Sequence, residues 1–500
     1  MINRIISKSD FLKYKECSSY FWFWKNDPKV LSEEKVDPFI QRLKSQGYEV
    51  ELFARHLFPN AKLISGTLHE AALTTKNEIE KGGKEFFQAS FLIDDLFTSC
   101  DMLVWNELFS GWDIIEVKSS TDKDRKKKEH VLDAAFQRVV LEKAGLKVVN
   151  VYLLELNKEF YRSGDINPDD IFNTTEITTE CIELESQVKV EIQDAKDLLS
   201  KPNPLSCSCE YKGRSRHCRA FKYLHPDVPE YSIYDLRAIG SSKKVLRSIV
   251  DSGHLRINEI PDSIKLNKTH ALQKYVLETK EIIIEKEKIQ FQFEELIYPL
   301  YFLDYETLAC GIPKFDNTYP YQQTVFQYSL HIMNESGQLQ HKEFIHIDQS
   351  SPVHLVAKRL REDIGDQGSV IVWNKSFEGK CNQDMAKVNA DLSTFLLNLN
   401  DRIFDLMEIF RRMEYLDNAF KGSYSIKNVL PVMCPDLTYD TLEVSNGAQA
   451  VVEFENLIFG HLLHGDDKEI KLKALLEYCK LDTLAMVRIY EELKKRIEDI

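Results

Sequence analysis

The run YFLDYET, residues 301–307, sets two carboxylates, Asp304 and Glu306, inside an apolar and aromatic stretch. ELIYPL precedes it and LACGIP follows. The stretch reads as a buried strand, in which residues i and i+2 share a face. The two acids then stand side by side, about 7 Å apart along the chain. Like charges so placed repel each other and resist burial. A fold that buries them needs something positive to hold them together.

Two-metal phosphoryl chemistry meets that need. Two divalent cations a few ångströms apart require several carboxylates, one ion readying a water and the other stabilising the leaving oxygen. Glu378 supplies a third acid, in WNKSFEGK just after the strand SVIVWN. Asp482, in EYCKLDTLAM, is the fourth, and Tyr478 lies four residues earlier on the same helix face. A tyrosine there can position the attacking water. Asp405, in RIFDLMEIF, is a further metal ligand or a support for one. The bland alternative makes each acid an ordinary surface residue.

This order resembles the DEDD exonucleases of the ribonuclease H-like superfamily: an Asp-x-Glu strand, an Asn-x-x-Phe-acid motif and a late Tyr-x-x-x-Asp. Here the last two are Asn374 to Glu378 and Tyr478 to Asp482. The second motif usually ends in Asp, and Glu378 departs from that. The resemblance implies Mg2+ or Mn2+ at Asp304, Glu306, Glu378 and Asp482, and 3′–5′ trimming of nucleic acid.

A second constellation lies near the N-terminus. TSCDMLVW and WDIIEVKSS read as two strands joined by a turn at NELFSG. Asp101 lies in the first; Glu116 and Lys118, two apart, share a face of the second. An acid on each strand plus a lysine suits metal-dependent phosphodiester cleavage. Gln137 follows on a helix, in LDAAFQRVVLEKAGL. The set resembles the PD-(D/E)XK nuclease fold, in the branch of RecB-type and CRISPR-adaptation nucleases. Asp101, Glu116, Lys118 and Gln137 match its core motif, which implies a second Mg2+ or Mn2+ site. The branch often adds an upstream acid or histidine; Glu51 is the candidate, ahead of His56 and His69. Lys123, Arg125, Lys126, Lys127 and Lys128, in TDKDRKKKEH, are placed to contact phosphates, and the same run also reads as a solvated loop.

CSCEYKGRSRHC puts Cys207, Cys209 and Cys218 close together, and Cys17 stands far upstream. One early cysteine and a late trio resemble the iron–sulfur branch of that nuclease family. There, four thiolates hold a 4Fe–4S cluster that staples the N-terminus to the end of the domain. The Cys-x-Cys spacing departs from that pattern, and Zn2+ is the alternative, with His217 available as a ligand. The other cysteines, Cys100, Cys181, Cys310, Cys381, Cys434 and Cys479, read as core residues.

At 500 residues the chain has room for roughly two to four domains. We expect an α/β protein with three regions. Residues 1–225 form a PD-(D/E)XK nuclease domain with the cysteine cluster, 226–295 a helical connecting region, and 296–500 a ribonuclease H-like domain. The net charge of −14 speaks only weakly against nucleic acid, because a local basic groove coexists with an acidic total. No leader-like start and no membrane-length apolar run is visible, and the cysteines suit a reducing cytoplasm.

The two halves together resemble an uncharacterised bacterial family that fuses a RecB-like nuclease to a ribonuclease H-like exonuclease. LDYET, PYQQTVFQYSLH, NKSFE, GSYSIKNVLP and EYCKLDTLAM carry that resemblance. It implies a cytoplasmic, metal-dependent nuclease, with DNA favoured over RNA, in repair or defence. An RNA-directed, toxin-like nuclease is one alternative. A nucleic-acid-binding or assembly protein with one or both sites inactive is another.

Overall fold

The computed structural model describes residues 4–31, 38–121, 127–204, 206–460 and 465–498. The protein is mixed α/β and divides into two compact units. One comprises Met1–Asp227 with Cys310–Tyr321; the other comprises Val228–Ala309 with Gln322–Ile500. The helical region expected at 226–295 thus clusters almost wholly with the second unit. Lys123, Arg125 and Lys126 lie outside the described residues. Among the described residues no helix is long and apolar enough to cross a membrane.

The first unit runs β1 (Ile6–Ser7), α1 (Lys8–Glu16), α2 (Ser18–Asn26), α3 (Pro38–Ala54), β2 (Lys62–Leu63), α4 (Leu68–Glu80), β3 (Glu85–Ile93), β4 (Leu96–Asn106) and β5 (Gly111–Lys118). It continues with α5 (Lys127–Lys143), β6 (Val148–Leu156), α6 (Pro168–Ile171), β7 (Phe172–Glu176), α7 (Thr178–Leu199) and α8 (Phe221–Leu224). Its sheet has the order β2-β3-β4-β5-β6-β7, with β1 added parallel to β4. β3, β4 and β5 are antiparallel, and β5 pairs parallel with β6, which the intervening α5 permits.

Alternation sorts the side chains onto two cores. Leu103, Ile114 and Leu153 face α5 and α7, while their neighbours Met102, Ile115 and Leu154 face α3. The pleat changes phase at one rung. Phe86 and Ala89 lie on the same core although they are three residues apart, and so do Cys100 and Leu103. Between them Gln88 adopts a left-handed φ of 55°. Register on either side, Phe87↔Met102 and Ala89↔Cys100, places Gln88 opposite Asp101.

Cys310–Tyr321 packs into this unit by its own bonds. Arg162 Nη1 donates to the carbonyls of Pro313 and Lys314, each at 2.9 Å, and Ile312 joins the apolar cluster of Val50 and Leu156.

The second unit runs α9 (Lys243–Asp251), α10 (Lys268–Thr279), β8 (Ile283–Ile284), α11 (Lys286–Glu294), β9 (Leu300–Leu308), β10 (Thr324–Met333), β11 (Leu339–Ile345), α12 (Val353–Asp363) and β12 (Val370–Val372). It ends with α13 (Lys375–Val388), α14 (Ser393–Asp401), β13 (Ile403–Asp405), α15 (Met407–Arg411), β14 (Tyr415–Leu416), α16 (Ile426–Met433), α17 (Gly447–Phe459) and α18 (Gly465–Glu498). Its main sheet has the order β11-β10-β9-β12-β13. β11, β10 and β9 are antiparallel, and β12 and β13 continue parallel to β9. Tyr301, Leu303 and Tyr305 pack against α12, α13 and α14. The alternate residues Phe302 and Asp304 face α18: Phe302 meets the Tyr490 ring at 5.8 Å, and Asp304 meets Cys479. The strand YFLDYET is therefore buried on both faces, and its acids point at a helix.

Candidate active sites

In the first unit the register that pairs Met102 with Ile115 places Asp101 opposite Glu116. Gln88, Asp101 and Glu116 thus form one row across three strands. Gln88 Nε2 donates to Glu51 Oε1 at 2.7 Å and reaches Asp101 Oδ1 at 3.3 Å, so Glu51 joins the group. The Val117 amide donates to Asp101 Oδ2 at 2.9 Å. Glu116, only 1% exposed, accepts from Lys118 Nζ at 2.6 Å, Lys8 Nζ at 2.8 Å and Gln137 Nε2 at 2.6 Å. Asp133, one turn before Gln137 on α5, pairs with Lys118 and lies 3.6 Å from Lys8.

Burial disfavours the Glu116 charge, but Lys118 and Lys8 outweigh it and hold this carboxyl well below the usual range. Asp101 is pushed up to about 7, by burial first and then by the Glu116 charge. Burial also works against Lys118, yet Glu116 and Asp133 keep its pKa above that of an ordinary lysine. The result is an acid on each of two strands and a protonated lysine between two carboxylates. Lys8 and Lys118 already supply the positive charge beside Glu116, so a divalent ion held by Asp101 and Glu116 would take the place of an ammonium there.

Lys8, Gln88 and Asp133 escaped the sequence reading. Asp133 and Gln137 share a face at i, i+4, which was the available signal; Lys8 had none, being 108 residues from Glu116. His56 Nδ1 lies 3.0 Å from the Phe53 carbonyl, and His69 is exposed on α4, so neither joins the site. Lys128 is exposed in the first turn of α5. Lys8→Met should leave Lys118 as the main counter-charge of Glu116 and Asp133 and so make both easier to protonate. The acid limb of a cleavage pH–rate profile is expected to move to higher pH. An unmoved limb would limit Lys8 to packing.

In the second unit Asp304 and Glu306 stand beneath α18. Donor atoms of Asp304, Glu306 and Cys479 lie within 4.8 Å of one another. Cys479 Sγ is 3.6 Å from Asp304 Oδ2 and, by burial and the neighbouring Asp304 charge, remains a thiol that donates. Tyr439 Oη donates to Asp482 Oδ1 at 2.6 Å, and Tyr478 bonds the same carboxylate. Gly447, at the start of α17, lies between Glu306 and Tyr478: an added Cβ would stand 3.9 Å from Glu306 Oε2 and from the Tyr478 hydroxyl. Lys427 Nζ sits 5.3 Å from the Tyr439 ring centre and 5.4 Å from that of Tyr478.

Glu378 enters from the first turn of α13 and is 2% exposed, with Oε2 buried and unbonded. Both oxygens of Asp405 accept from the backbone, Oδ2 from Lys375 N at 2.9 Å and Oδ1 from Met407 N at 3.2 Å. Asp405 thereby anchors the start of the helix that carries Glu378. Sequence reasoning missed Lys427, Tyr439 and Cys479; Lys427 lies inside the quoted GSYSIKNVLP, and Cys479 is the residue after Tyr478.

Burial, then the charge of Asp482, raises Asp304 well above the carboxylate range. Glu306 is raised by burial and by Asp304 and Asp482, and Glu378 by burial and by Asp304. Asp482 is pushed only to about 6, because burial is offset by its bonds from Tyr439 and Tyr478 and by Lys427. Four crowded acids and an orphaned carboxylate oxygen fit a site for divalent cations.

A pH dependence follows. A carboxyl whose folded pKa is raised binds more protons folded than unfolded, so its contribution to stability is complete below the unfolded pKa and is lost as pH rises through the folded value. For Asp482 that window runs from 3.8 to about 6, and for Asp101 from 3.8 to about 7. Glu116 acts in the opposite sense only below its ordinary 4.5, and His331 and His341, pushed down by burial to about 3 and about 4, do so up to 6.5. The raised acids Asp101, Asp304, Glu306, Glu378 and Asp482 outnumber them. Metal-free protein should therefore melt at lower temperature as pH rises from 4.5 towards 7. Mg2+ at a hundred times its Kd should restore about 2.7 kcal/mol at each site it fills. Melting curves that ignore both pH and Mg2+ would contradict the electrostatic account.

A third cluster lies in the first unit. Cys17, between α1 and α2, meets Cys207, Cys209 and Cys218 from the segment after α7, and all four are buried free thiols. Cys17 Sγ and Cys207 Sγ are 3.6 Å apart, Cys207 Sγ and Cys218 Sγ 3.7 Å, and all four sulfurs lie within 4.8 Å of one another. Lys212 Nζ lies 3.6 Å from Cys209 Sγ. His217, offered above as a ligand, is not in the donor set: its Nε2 lies 3.0 Å from the Lys212 carbonyl and its ring stacks on Phe221.

Residues 301–425 match a family model described as a domain of unknown function, DUF2779. The match contains Asp304, Glu306, Glu378 and Asp405 and ends before Lys427, Tyr439, Tyr478 and Asp482. The chain is similar to an uncharacterized protein of Ureaplasma parvum serovar 3, 27% identical over 301 residues, which cover 54% of this chain and 41% of that protein. It is also similar to an uncharacterized protein of Mycoplasma pneumoniae, 26% identical over 265 residues, covering 48% of this chain and 39% of that protein. Each match spans less than half of the relative's own length. No solved structure matches the chain.

Proposed function

We propose that the protein is a cytoplasmic, metal-dependent nuclease with two active sites, one in each unit. The observation that carries this reading is the convergence of Asp304, Glu306, Glu378 and Asp482 on a buried cluster whose members repel one another. Stability alone gives no reason to bury such a set. The first unit is read as a PD-(D/E)XK nuclease and the second as a ribonuclease H-like exonuclease. Support for the latter is an antiparallel β11-β10-β9 edge continued by parallel β12 and β13, with acids on β9, after β12 and on the last helix.

Asp304, Glu306, Glu378 and Asp482 would hold Mg2+ or Mn2+ in one site, and Asp101 and Glu116 in the other. Bound there, the ions supply charge for the scissile phosphate and an activated water. Tyr478 and Tyr439 orient Asp482. Lys118 keeps its proton and offers positive charge to a developing phosphorane. Gln137 fixes the Glu116 carboxylate. DNA is the favoured substrate, with 3′–5′ direction in the second unit, and the setting is repair or defence.

The test follows cleavage of 5′-labelled single-stranded DNA and RNA with Mg2+ or Mn2+, for the wild type, Lys118→Ala and Asp304→Asn. Shortening ladders that vanish in Asp304→Asn, with internal cuts that vanish in Lys118→Ala, are expected. Preference for RNA would move the protein to the RNA-directed reading. No cleavage by metal-loaded wild type would turn it into a binding protein.

A further inference from the structure

The four-thiolate site is the place where the resemblance and the structure part. The resemblance implies a 4Fe–4S cluster on Cys17, Cys207, Cys209 and Cys218. In such a cluster each thiolate binds a different iron, and the body of the cluster lies between the sulfurs. Here Cys17 Sγ and Cys207 Sγ stand 3.6 Å apart and Cys207 Sγ and Cys218 Sγ 3.7 Å, which is van der Waals contact. A two-iron cluster fails as well. It would hold two sulfurs close on each iron and the pairs far apart, whereas all four donor atoms lie within 4.8 Å of one another. A cluster has no room among them.

One ion does. A zinc–sulfur bond of about 2.3 Å with tetrahedral angles puts the sulfurs about 3.8 Å apart. We propose that this site takes a single tetrahedral ion, zinc, and no iron–sulfur cluster. The proposal rests on reading the four thiolates as a metal site. Its surroundings suit a dianionic tetrathiolate. The Lys212 ammonium lies 3.6 Å from Cys209 Sγ and donates to the Glu16 carbonyl at 2.7 Å, bridging the site to the end of α1. Cys17 is the N-cap residue of α2, so its sulfur stands at the positive end of that helix, which favours a thiolate there. Bonds from outside the ligand set of this kind orient thiolates and offset their charge.

The role is structural. Cys17 and Cys207 are 190 positions apart, so one ion ties the α1–α2 junction to the segment after α7. α1 begins with Lys8, which reaches Glu116. Folding and metal binding are then linked, as in other structural zinc sites.

The experiment uses the full chain, purified under nitrogen from cells supplied with iron, sulfur and zinc alike. Metal and acid-labile sulfide are measured per chain, zinc is then exchanged for Co2+, and the visible spectrum is recorded. The expected result is one zinc per chain, no labile sulfide, a colourless protein, and intense tetrahedral bands with cobalt. Cys209→Ser should lower the zinc content and alter the cobalt bands. Iron with labile sulfide and brown absorption would overturn the single-ion site while keeping a metal site. Iron without sulfide would overturn zinc. Folded protein that holds no metal would overturn the metal reading itself.

Discussion

Asp304→Asn is expected to abolish the ladder of exonucleolytic products, a loss of at least about a hundredfold. The same substitution should raise the melting temperature of the metal-free protein. Asp304 is the common neighbour whose charge raises both Glu306 and Glu378. Asparagine removes that charge while keeping the shape and an acceptor for Cys479. The repulsion falls, and so does the affinity for Mg2+. Opposite signs for stability and activity mark a site where function opposes folding. The measurement pairs thermal melts with and without Mg2+ against product ladders. A variant that loses both stability and activity would make Asp304 a structural residue, and one that keeps its ladder would remove it from the site.

Glu116→Ala is expected to destabilise the first unit by about 3–5 kcal/mol, the range for breaking a buried ion pair from one side. Lys8, Lys118 and Gln137 lose their shared acceptor at once. Asp133 remains to pair with the lysines, but it cannot replace the bond from Gln137. Glu116→Gln keeps one acceptor oxygen and should lose less stability while losing internal cleavage to the same extent. Lys118→Ala is the informative contrast. Lys8 still neutralises Glu116 there, so stability should change little while cleavage falls at least about a hundredfold. Denaturant melts of the three variants, read beside cleavage rates, separate holding the site together from acting in it. Equal losses of stability for Glu116→Ala and Glu116→Gln would contradict the acceptor argument.

Much of both candidate sites was legible from local periods. Asp304 and Glu306 share a strand face, Glu116 and Lys118 share another, and Tyr478 and Asp482 share a helix face. The structure brings each pair to one place. Local alternation failed at one rung. TSCDMLVW reads as regular, yet Cys100 and Leu103 face the same core, because the pleat changes phase where Gln88 turns left-handed opposite Asp101. Irregular rungs of this kind re-aim side chains beside functional sites. The connection after β9 also departs from the domain expected at 296–500, since Cys310–Tyr321 belongs to the first unit, where Arg162 binds it.

Residue type and spacing alone put Asp304 beside Glu306, Glu116 beside Lys118 and Tyr478 beside Asp482, because strand and helix periods are local consequences of backbone geometry. The joining of Cys17 to the later cysteines, and of one strand's acids to another's, was what the resemblance implied. Only the tertiary structure decided what else meets them. Lys8 and Asp133 at Glu116, Lys427, Tyr439 and Cys479 around the C-terminal acids, and the separation of the four sulfurs all depend on packing between distant segments. Spacing along the chain cannot encode a distance between sulfurs on segments 190 residues apart, and that distance is what separates one metal ion from a cluster.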